Sequence, residues 1–313
     1  MKYRYLKSIN KDVSRLCFGT LTISPMQKDF DIKKGADLLN MACDLGVNFF
    51  DTAEIYGTYK FIKRALAKKD VVIATKSYAY DKKTAEKSLI KYLKESGRDR
   101  AEFFLLHEQE SVHTLRGHAE AIEYFLTMKQ KGLIGAFGIS THYIAGVKAA
   151  TKLNEISVIH PLVNISGIGI ADGSRDEMIE AIKTAHEAGK DIYAMKPLGG
   201  GHLIQNTRES FDYLLGKDFI DSIAVGVQSY EELRYNCDYF SGILPSEELS
   251  KNLSTKKRQI LIQDWCEGCG KCVKACKSKA LYIKDGKAAV FQDKCVFCAY
   301  CARVCPQFSI KVI

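Results

Sequence analysis

The cysteines near the end of this 313-residue chain constrain its folding more than any other feature. Eight of the 11 cysteines lie within residues 266–305 and form the pattern C-x2-C-x2-C-x3-C twice. Three cysteines spaced two residues apart wrap one corner of a [4Fe–4S] cubane, and the fourth points away to another cluster. The spacing therefore predicts two interleaved clusters, one held by Cys266, Cys269, Cys272 and Cys305, the other by Cys295, Cys298, Cys301 and Cys276.

Zinc is the alternative metal for such a segment. Zinc prefers two C-x2-C pairs separated by a longer loop, and a duplicated run of four closely spaced cysteines fits that preference poorly. The segment resembles a bacterial two-cluster ferredoxin over about its whole length. It departs from that family where Lys277 follows Cys276, because the family motif has a proline there, as seen after Cys305.

Composition and charge narrow the class of protein further. Apolar residues make up 46% and charged residues 27%, which is typical of a folded globular chain, and no apolar run is long enough to span a membrane. Cysteines concentrated in one tail favour metal binding in a reducing cytoplasm over a secreted disulfide scaffold. Residues 256–313 carry 12 Lys/Arg and 4 Asp/Glu. We expect anionic clusters to offset this charge, and we expect no nucleic-acid partner because no recognition motif accompanies it.

The first part of the chain alternates between short apolar runs and longer amphipathic stretches. Most of the eight runs are rich in Val, Ile and Phe without strict alternation, as expected for parallel strands buried on both faces. They lie at Leu16–Gly19, Val47–Phe50, Val71–Ala74, Phe103–His107, Ile134–Ile139, Ser157–Val163, Asp191–Met195 and Ser222–Val227. Eight βα units predict a closed (β/α)8 TIM barrel. A doubly wound open sheet is the alternative, but no G-x-G-x-x-G follows the first run.

The chain therefore divides into three predicted parts. Residues 1–245 form the α/β barrel, residues 246–257 a connector, and residues 258–313 a small α+β, ferredoxin-like domain for two [4Fe–4S] clusters. Within that domain, an Asp-Gly pair at 285–286 between two short runs predicts a hairpin.

Four reactive side chains stand at the ends of successive predicted strands. Asp51 and Tyr56 follow the second strand, Lys76 the third, and His107 the fourth. Barrel enzymes place their chemistry at the C-terminal ends of the strands, so the four would face one mouth. Each residue has a structural explanation when taken alone, but all four at successive strand ends favour an active site.

These residues make the sequence similar to the aldo/keto reductase family over residues 1 to about 240. The D-T-A-x-x-Y-G segment that contains Asp51 and Tyr56, together with Lys76 and Leu-Leu-His107, matches that family's tetrad in order and approximate spacing. The resemblance implies that Tyr56 donates a proton, that Lys76 and Asp51 tune it, and that His107 orients a substrate carbonyl. A nicotinamide cofactor would deliver hydride to the carbonyl carbon. We expect the ammonium of Lys76 to lower the pKa of the Tyr56 phenol.

The same resemblance implies a set of cofactor contacts. Ser140 and Asn164 fall where the family contacts the nicotinamide carboxamide, and Met195 replaces the stacking aromatic residue. Glu232 falls where family members bind a 2′-phosphate, and its carboxylate would repel a phosphate. The choice between NADPH and NADH therefore stays open. A flavin is not excluded either. The implied set is Gly19, Thr20, Ser140, Asn164, Met195, Lys196, Pro197, Leu198, Glu232 and Asn236.

Three hypotheses about function remain open at this point. In the first, the chain is a cytoplasmic NAD(P)-dependent oxidoreductase of a small carbonyl or alcohol, whose clusters exchange electrons with a ferredoxin- or flavodoxin-type carrier. In the second, it is an electron-transfer or redox-sensing protein with a slow or non-catalytic barrel. In the third, the clusters are structural and cover the barrel mouth. The fold does not decide the substrate, because the pocket loops do.

Overall fold

A small hairpin precedes the barrel in the computed structural model, which describes residues 1–313. Its strands, β1 (Tyr3–Leu6) and β2 (Lys11–Ser14), pair antiparallel. Leu6 and Val13 are buried and pack with the side chains that fill the barrel interior. The hairpin thereby closes the end of the barrel opposite the predicted active site.

Eight parallel strands form the closed barrel that the sequence predicts. Each strand pairs with its neighbour in sequence, and the last pairs with the first. The strands are β3 (Leu16–Gly19), β4 (Phe49–Asp51), β5 (Val72–Ser77), β6 (Ala101–Leu106), β7 (Ile134–Thr141), β8 (Val158–Pro161), β9 (Asp191–Met195) and β10 (Ser222–Gly226). Nearly every strand residue is buried, because one face points into the barrel and the other against the helices.

Nine helices surround the strands. They are α1 (Ile32–Asp44), α2 (Tyr59–Ala65), α3 (Lys82–Ser96), α4 (Val112–Gly117), α5 (Ala119–Gln130), α6 (Ile144–Thr151), α7 (Arg175–Glu187), α8 (Thr207–Leu215) and α9 (Tyr230–Phe240). α7 shows how the sequence sets their limits. Ser174 and Glu177 form a capping box at its start, and Gly189, with φ of 86°, follows its end. No helix of the protein is long and apolar enough to cross a membrane.

The predicted connector contains a helix rather than a plain linker. Helix α10 (Glu247–Ser254) begins where the Ser246 side chain accepts a hydrogen bond from the backbone N–H of Leu249. Leu249 and Leu253 are four residues apart, so they share one face of the helix, and this face packs on the outside of the barrel. The connector is therefore attached to the barrel along its length.

The C-terminal unit is built from two small antiparallel pairs and two short helices. Its elements are β11 (Ile260–Ile262), α11 (Lys271–Ala275), β12 (Leu281–Lys284), β13 (Lys287–Val290), α12 (Tyr300–Arg303) and β14 (Ile310–Val312). β12 and β13 form the predicted hairpin, in which Asp285 and Gly286 both have positive φ. β11 pairs with β14, which brings the two ends of the unit together.

The C-terminal unit lies against the mouth of the barrel. An apolar cluster joins barrel residues, among them Leu162 and Met195, to Ala302 and Phe308 of the unit. β14 passes so close to the loop after β9 that a Cβ atom at Gly201 would lie 2.2 Å from the carbonyl oxygen of Val312. Glycine in that loop therefore allows the two backbones to touch.

Candidate active site and cysteine cavities

Asp51 and Lys76 form a buried ion pair at the ends of β4 and β5. Lys76 Nζ lies 2.6 and 2.8 Å from the two carboxylate oxygens of Asp51 and 2.8 Å from the carbonyl oxygen of Thr52. These three contacts use every N–H donor of the ammonium group. Both side chains are almost fully buried, so each charge depends on the other for compensation.

Tyr56 lies beside this pair but is not bonded to it. Its ring centroid is 5.2 Å from Lys76 Nζ. Burial, followed by the charges of Asp51 and Glu108, raises the pKa of the Tyr56 phenol well above its usual range. The expectation of a lowered pKa is therefore wrong, because burial and the two carboxylates outweigh any effect of the Lys76 ammonium. A phenol with a raised pKa stays protonated at neutral pH.

His107 completes the predicted group of four. Its ring meets the ring of Tyr56 edge-on, with centroids 5.9 Å apart, and stacks on Tyr78 at 4.6 Å. Burial, and then the charges of Lys76 and Lys196, hold the pKa of His107 well below its usual range. The imidazole is therefore neutral near pH 7, and its Nδ1 is buried without a hydrogen-bond partner.

Two residues that the sequence analysis did not place in the site support Asp51. The phenol of Tyr193 donates a hydrogen bond to Asp51 Oδ1 at 3.1 Å. His160 stacks on Tyr193 with ring centroids 3.8 Å apart, and its Nε2 lies 3.6 Å from Asp51 Oδ1. Both residues stand in predicted strands, so inward-facing polar side chains near a strand end were the signal available in the sequence.

A cleft of about 910 Å³ opens beside these residues. It begins at Asp51, Tyr56 and His160 and extends to Glu232. A second, smaller cleft shares Leu198 and Glu232 with it. Seven of the ten predicted cofactor contacts line the two clefts: Gly19, Met195, Lys196, Pro197, Leu198, Glu232 and Asn236.

The other three predicted contacts are fully buried and do not line either cleft. The Thr20 hydroxyl donates to the carbonyl oxygen of Asp51, and Ser140 Oγ accepts a backbone N–H from the loop after β6. The Asn164 side chain bonds both the N–H and the carbonyl of Ile168. Their polar groups are thus used to hold loops, and the structure places them behind the surface of the clefts.

Glu232 is paired with two cations, Lys256 of the connector and Arg258, the first residue of the C-terminal domain. Its Oε1 lies 2.8 Å from Lys256 Nζ and 3.1 Å from an amino nitrogen of Arg258. Its Oε2 accepts a hydrogen bond from the backbone N–H of Gln228. This pairing removes the reason to expect that Glu232 repels a phosphate, because the two cations exceed its single negative charge. This pairing was not predictable from the sequence, since the partners lie 24 and 26 residues away.

The eight clustered cysteines line two separate cavities in the C-terminal unit. Cys266, Cys269, Cys272 and Cys305 line one of about 270 Å³, and Cys276, Cys295, Cys298 and Cys301 line one of about 370 Å³. The structure thus groups them in the two interleaved sets that the spacing predicts. No three His, Cys, Asp or Glu side chains converge closely enough to hold a single metal ion.

The surroundings of the cysteines fit iron–sulfur clusters. Backbone N–H groups of Ala280, Ala288 and Ser309 point at the sulfur atoms of Cys276, Cys266 and Cys305, respectively, at 3.2 to 3.4 Å. Burial alone would raise the pKa of the Cys276 and Cys266 thiols, but such hydrogen bonds bring it below its usual value. Hydrogen bonds to sulfur are one of the means by which proteins tune these clusters.

The closed barrel, its strand-end side chains and the cysteine unit define an oxidoreductase with an iron–sulfur domain. Residues 15–218 match the aldo/keto reductase family, and the chain belongs to that family. Residues 265–309 match the 4Fe-4S dicluster domain, so the chain carries a second, iron–sulfur domain that follows the barrel in the sequence.

Known proteins resemble one part or the other of the chain. The uncharacterised oxidoreductase YrpG of Bacillus subtilis is 27% identical over 233 residues, which cover 65% of this chain and 68% of YrpG. The uncharacterised polyferredoxin-like protein MJ1302 of Methanocaldococcus jannaschii is 30% identical over 110 residues, covering 30% of this chain and 64% of that protein. The structure of aldo-keto reductase AKR11C1 from Bacillus halodurans superposes with a TM-score of 0.67 at 21% identity, covering 81% of this chain and 95% of the other. This last likeness concerns the fold.

Proposed function

We propose that this chain reduces a small carbonyl compound, with Tyr56 as the proton donor and NADPH as the source of hydride. The observation that carries the proposal is that Tyr56 lies beside both the Asp51–Lys76 ion pair and His107, and that Tyr56 and Asp51 line an open cleft. A bound nicotinamide supplies hydride to a carbonyl carbon. The side chains of the site supply the proton and the positioning.

Each of the four side chains has a distinct part in this proposal. Tyr56 remains protonated at neutral pH and gives its phenolic proton to the carbonyl oxygen as that oxygen becomes negative. Neutral His107 directs an N–H at the same oxygen and stabilises its developing charge. Lys76 adds a positive field 5.2 Å from the phenol ring, and Asp51 fixes its position. Water is kept from the ion pair because both side chains are buried.

The junction between the connector and the C-terminal domain favours NADPH over NADH. Arg258 and Lys256 approach Glu232 where the two clefts meet, and the carboxylate neutralises only one of the two cations. Arginine and lysine are the side chains that most often bind phosphate groups. A 2′-phosphate at this place would bind the cation that remains in excess.

An anaerobic assay of NADPH oxidation tests the catalytic part of the proposal. General acid catalysis contributes about 10²- to 10⁴-fold, so we expect Tyr56→Phe to lower kcat by that factor. Tyr80→Phe is the matched control because Tyr80 is exposed and lies in the loop after β5; it should keep the activity. Wild-type protein with intact clusters that oxidises no NADPH with any aldehyde or ketone of a broad panel would refute the proposal.

Direct binding tests the choice of dinucleotide. The fluorescence of NADPH and NADH on titration with the protein gives both dissociation constants. We expect Arg258→Met to raise the dissociation constant of NADPH by about tenfold, since a charge-assisted hydrogen bond contributes roughly 1.5–3 kcal/mol. The dissociation constant of NADH should change by less than about twofold. Lys257→Met changes an exposed neighbouring lysine and serves as the control. Equal losses for both dinucleotides would contradict phosphate recognition.

We also propose that the two cysteine sets bind [4Fe–4S] clusters that exchange electrons with an external ferredoxin- or flavodoxin-type protein. Cys269 and Cys298 are exposed, so one edge of each cavity reaches the surface. Four nearby lysines favour an acidic carrier: Lys271, Lys274, Lys277 and Lys279. Hydride moves electrons in pairs, whereas each cluster takes one, so exchange between nicotinamide and clusters would need a flavin.

Anaerobic spectroscopy tests this second part. We expect reduced ferredoxin to bleach the cluster absorption at a rate that falls with rising salt. NADPH alone should leave the clusters oxidised over the same time. Rapid bleaching by NADPH without flavin would contradict the external carrier, and slow bleaching by ferredoxin that is independent of salt would contradict the lysine surface.

A further inference from the structure

Phe308 of the C-terminal unit is fixed in an unusual conformation at the mouth of the barrel. Its φ is 48°, in the left-handed region that bulky residues avoid, and its side chain is buried. Cβ atoms at Gly169 and Gly200 of the barrel would lie 2.9 and 3.0 Å from its ring. The surrounding contacts therefore hold a strained residue in place, a pattern that is common at functional sites.

Two lysines lie over the ring of Phe308, one from each unit. Lys196 Nζ is 4.8 Å and Lys311 Nζ is 3.2 Å from the ring centroid. Lys196 follows β9 of the barrel, whereas Lys311 stands in β14, and both line the large cleft. The ammonium groups of the two lysines are thus brought together only when the C-terminal unit is docked.

Neither ammonium has a carboxylate as its partner. Lys196 Nζ bonds His142 Nε2 at 2.7 Å, and Lys311 Nζ donates to the carbonyl oxygen of Phe308. Glu108, a carboxylate of the same mouth, is half exposed and bonded to Tyr78. Buried charges in proteins are normally paired, because an isolated ammonium loses its hydration without compensation. Lys311 is only 5% exposed, and burial lowers its pKa well below the usual range. An anion in the cleft would favour the charged form of Lys311 and supply its missing partner.

The position of Lys196 places this anion beside the catalytic residues. Lys196 lines the same cleft as Asp51 and Tyr56, and its charge adds to burial and to the charge of Lys76 in lowering the pKa of His107. The excess positive charge at Arg258 is at the other end of the cleft. An anion held at Lys196 and Lys311 therefore neighbours the carbonyl that is reduced.

We infer that Lys196 and Lys311 bind the anionic group of the substrate, a carboxylate or phosphate on the carbonyl compound itself. This inference rests on the proposed carbonyl reduction. Hydrogen bonds between ammonium and carboxylate or phosphate are shorter and stronger than neutral ones, so the lysines fix the orientation of the substrate. The site is complete only with a residue of the C-terminal unit, which gives that unit a part in substrate selection.

Two other anions compete for Lys311 and must be separated from the substrate. One is the diphosphate of the dinucleotide, which occupies the same cleft in the proposed function. The other is the thiolate of Cys305, whose charge acts on Lys311, or the cluster that this cysteine would hold. The first source predicts a loss of dinucleotide affinity when Lys311 is replaced, and the second predicts a change in cluster reduction potential.

The experiment compares charged and uncharged substrates in the protein with both clusters intact. Suitable pairs are 4-carboxybenzaldehyde and pyruvate, each with its methyl ester. We expect Lys311→Met to lower kcat/KM for the acids by about 10- to 100-fold, since a hydrogen bond to a charged group is lost, and to change the esters by less than about threefold. Lys311→Arg should retain part of the preference for acids over esters. Lys284→Met, at an exposed lysine of the same unit, should leave this preference unchanged.

Binding of an unreactive anion gives a readout that does not depend on turnover. Calorimetry with 4-carboxybenzoate should show binding to the wild type and about a tenfold loss in Lys311→Met. If Lys311→Met lowered kcat/KM equally for acids and esters and also weakened NADPH binding, the inference would be overturned in favour of the diphosphate. A shifted cluster potential with an unchanged preference for acids would overturn it in favour of the cluster. Anion binding that depends on Lys311, in a protein that reduces neither acids nor esters, would uphold the anion site and refute the proposed reduction.

Discussion

The barrel cleft and the cysteine cavities of this protein are built in opposite ways. The four catalytic candidates come from the ends of three strands and are nearly buried, and an ion pair stands at their centre. In each cavity, three cysteines come from one short loop, two of the eight cysteines are exposed, and backbone N–H groups surround the sulfur atoms. The cleft depends on the closure of the whole barrel, whereas each cavity depends mainly on local spacing.

This difference predicts different responses to damage. A change in the cleft should affect stability and catalysis together, because buried charges stabilise each other. A change in one cavity should remove one cluster and leave the barrel folded. In each cavity, only the fourth cysteine comes from a distant part of the sequence. The barrel and the C-terminal unit are joined by the close contact between Gly201 and Val312.

The largest effect is expected from breaking the buried ion pair. Lys76→Met leaves the Asp51 carboxylate buried without its partner, which costs about 3–5 kcal/mol of unfolding free energy. We expect a clear fall in melting temperature together with a loss of carbonyl reduction. The double variant Asp51→Leu/Lys76→Met should regain much of the stability but none of the activity. A double variant as unstable as Lys76→Met alone would show that the pair does not set the stability of the cleft.

The second effect concerns the interleaving of the cysteine sets. Cys305→Ala should abolish the same electron paramagnetic resonance signal as Cys266→Ala, and iron should fall from about eight to about four atoms per chain. Cys276→Ala should instead abolish the same signal as Cys295→Ala. Far-ultraviolet circular dichroism checks that the barrel remains folded. If Cys276→Ala removed the signal lost in Cys266→Ala, each cluster would belong to one repeat and the interleaved assignment would be wrong.

A smaller effect is expected at the contact between the two regions. Gly201→Ala places a Cβ atom 2.2 Å from the carbonyl oxygen of Val312 at a φ of 92°, so β14 has to move. Gly189→Ala is the matched control, because its φ of 86° gives the same strain with nothing within 4 Å of the added atom. We expect faster hydrogen exchange in β14 for Gly201→Ala only. Equal exchange in both variants would mean that the strand is not held by this contact.

The smallest effect is a pH dependence in the cleft. Burial lowers the pKa of Lys196 to about 8, and the charge of Lys76 adds to this, while Glu108 opposes it. His142 and Lys311 also face Lys196, and their own pKa values are lowered mainly by burial. Because Lys196 loses its charge as pH rises through about 8, kcat/KM for 4-carboxybenzaldehyde should fall several-fold from pH 7 to 9. For uncharged benzaldehyde we expect a flat profile, and the same fall for both would contradict the prediction.

The agreement between sequence and structure differs from one residue to another for physical reasons. The barrel strands were predictable because strands buried on both faces carry uninterrupted apolar runs. The hairpin at Asp285 was predictable because its turn requires particular residues. The pKa of Tyr56 was not, since it depends on how deeply the phenol is buried and on which carboxylates lie near it. The hydrogen bonds of Thr20 and Asn164 were also not predictable, because position in a motif does not show whether a polar group is already bonded.

The amino-acid sequence alone determined the barrel, the identity of the four catalytic candidates and the grouping of the cysteines. Each of these follows from periodicity, spacing or strand order, which are properties of a local stretch of chain. Only the tertiary structure decided that Tyr193 supports Asp51, that Arg258 neutralises Glu232, and that Lys311 enters the barrel mouth. Such partners are brought together by barrel closure and by the docking of two units. Contacts of that kind depend on three-dimensional packing, which no short segment encodes.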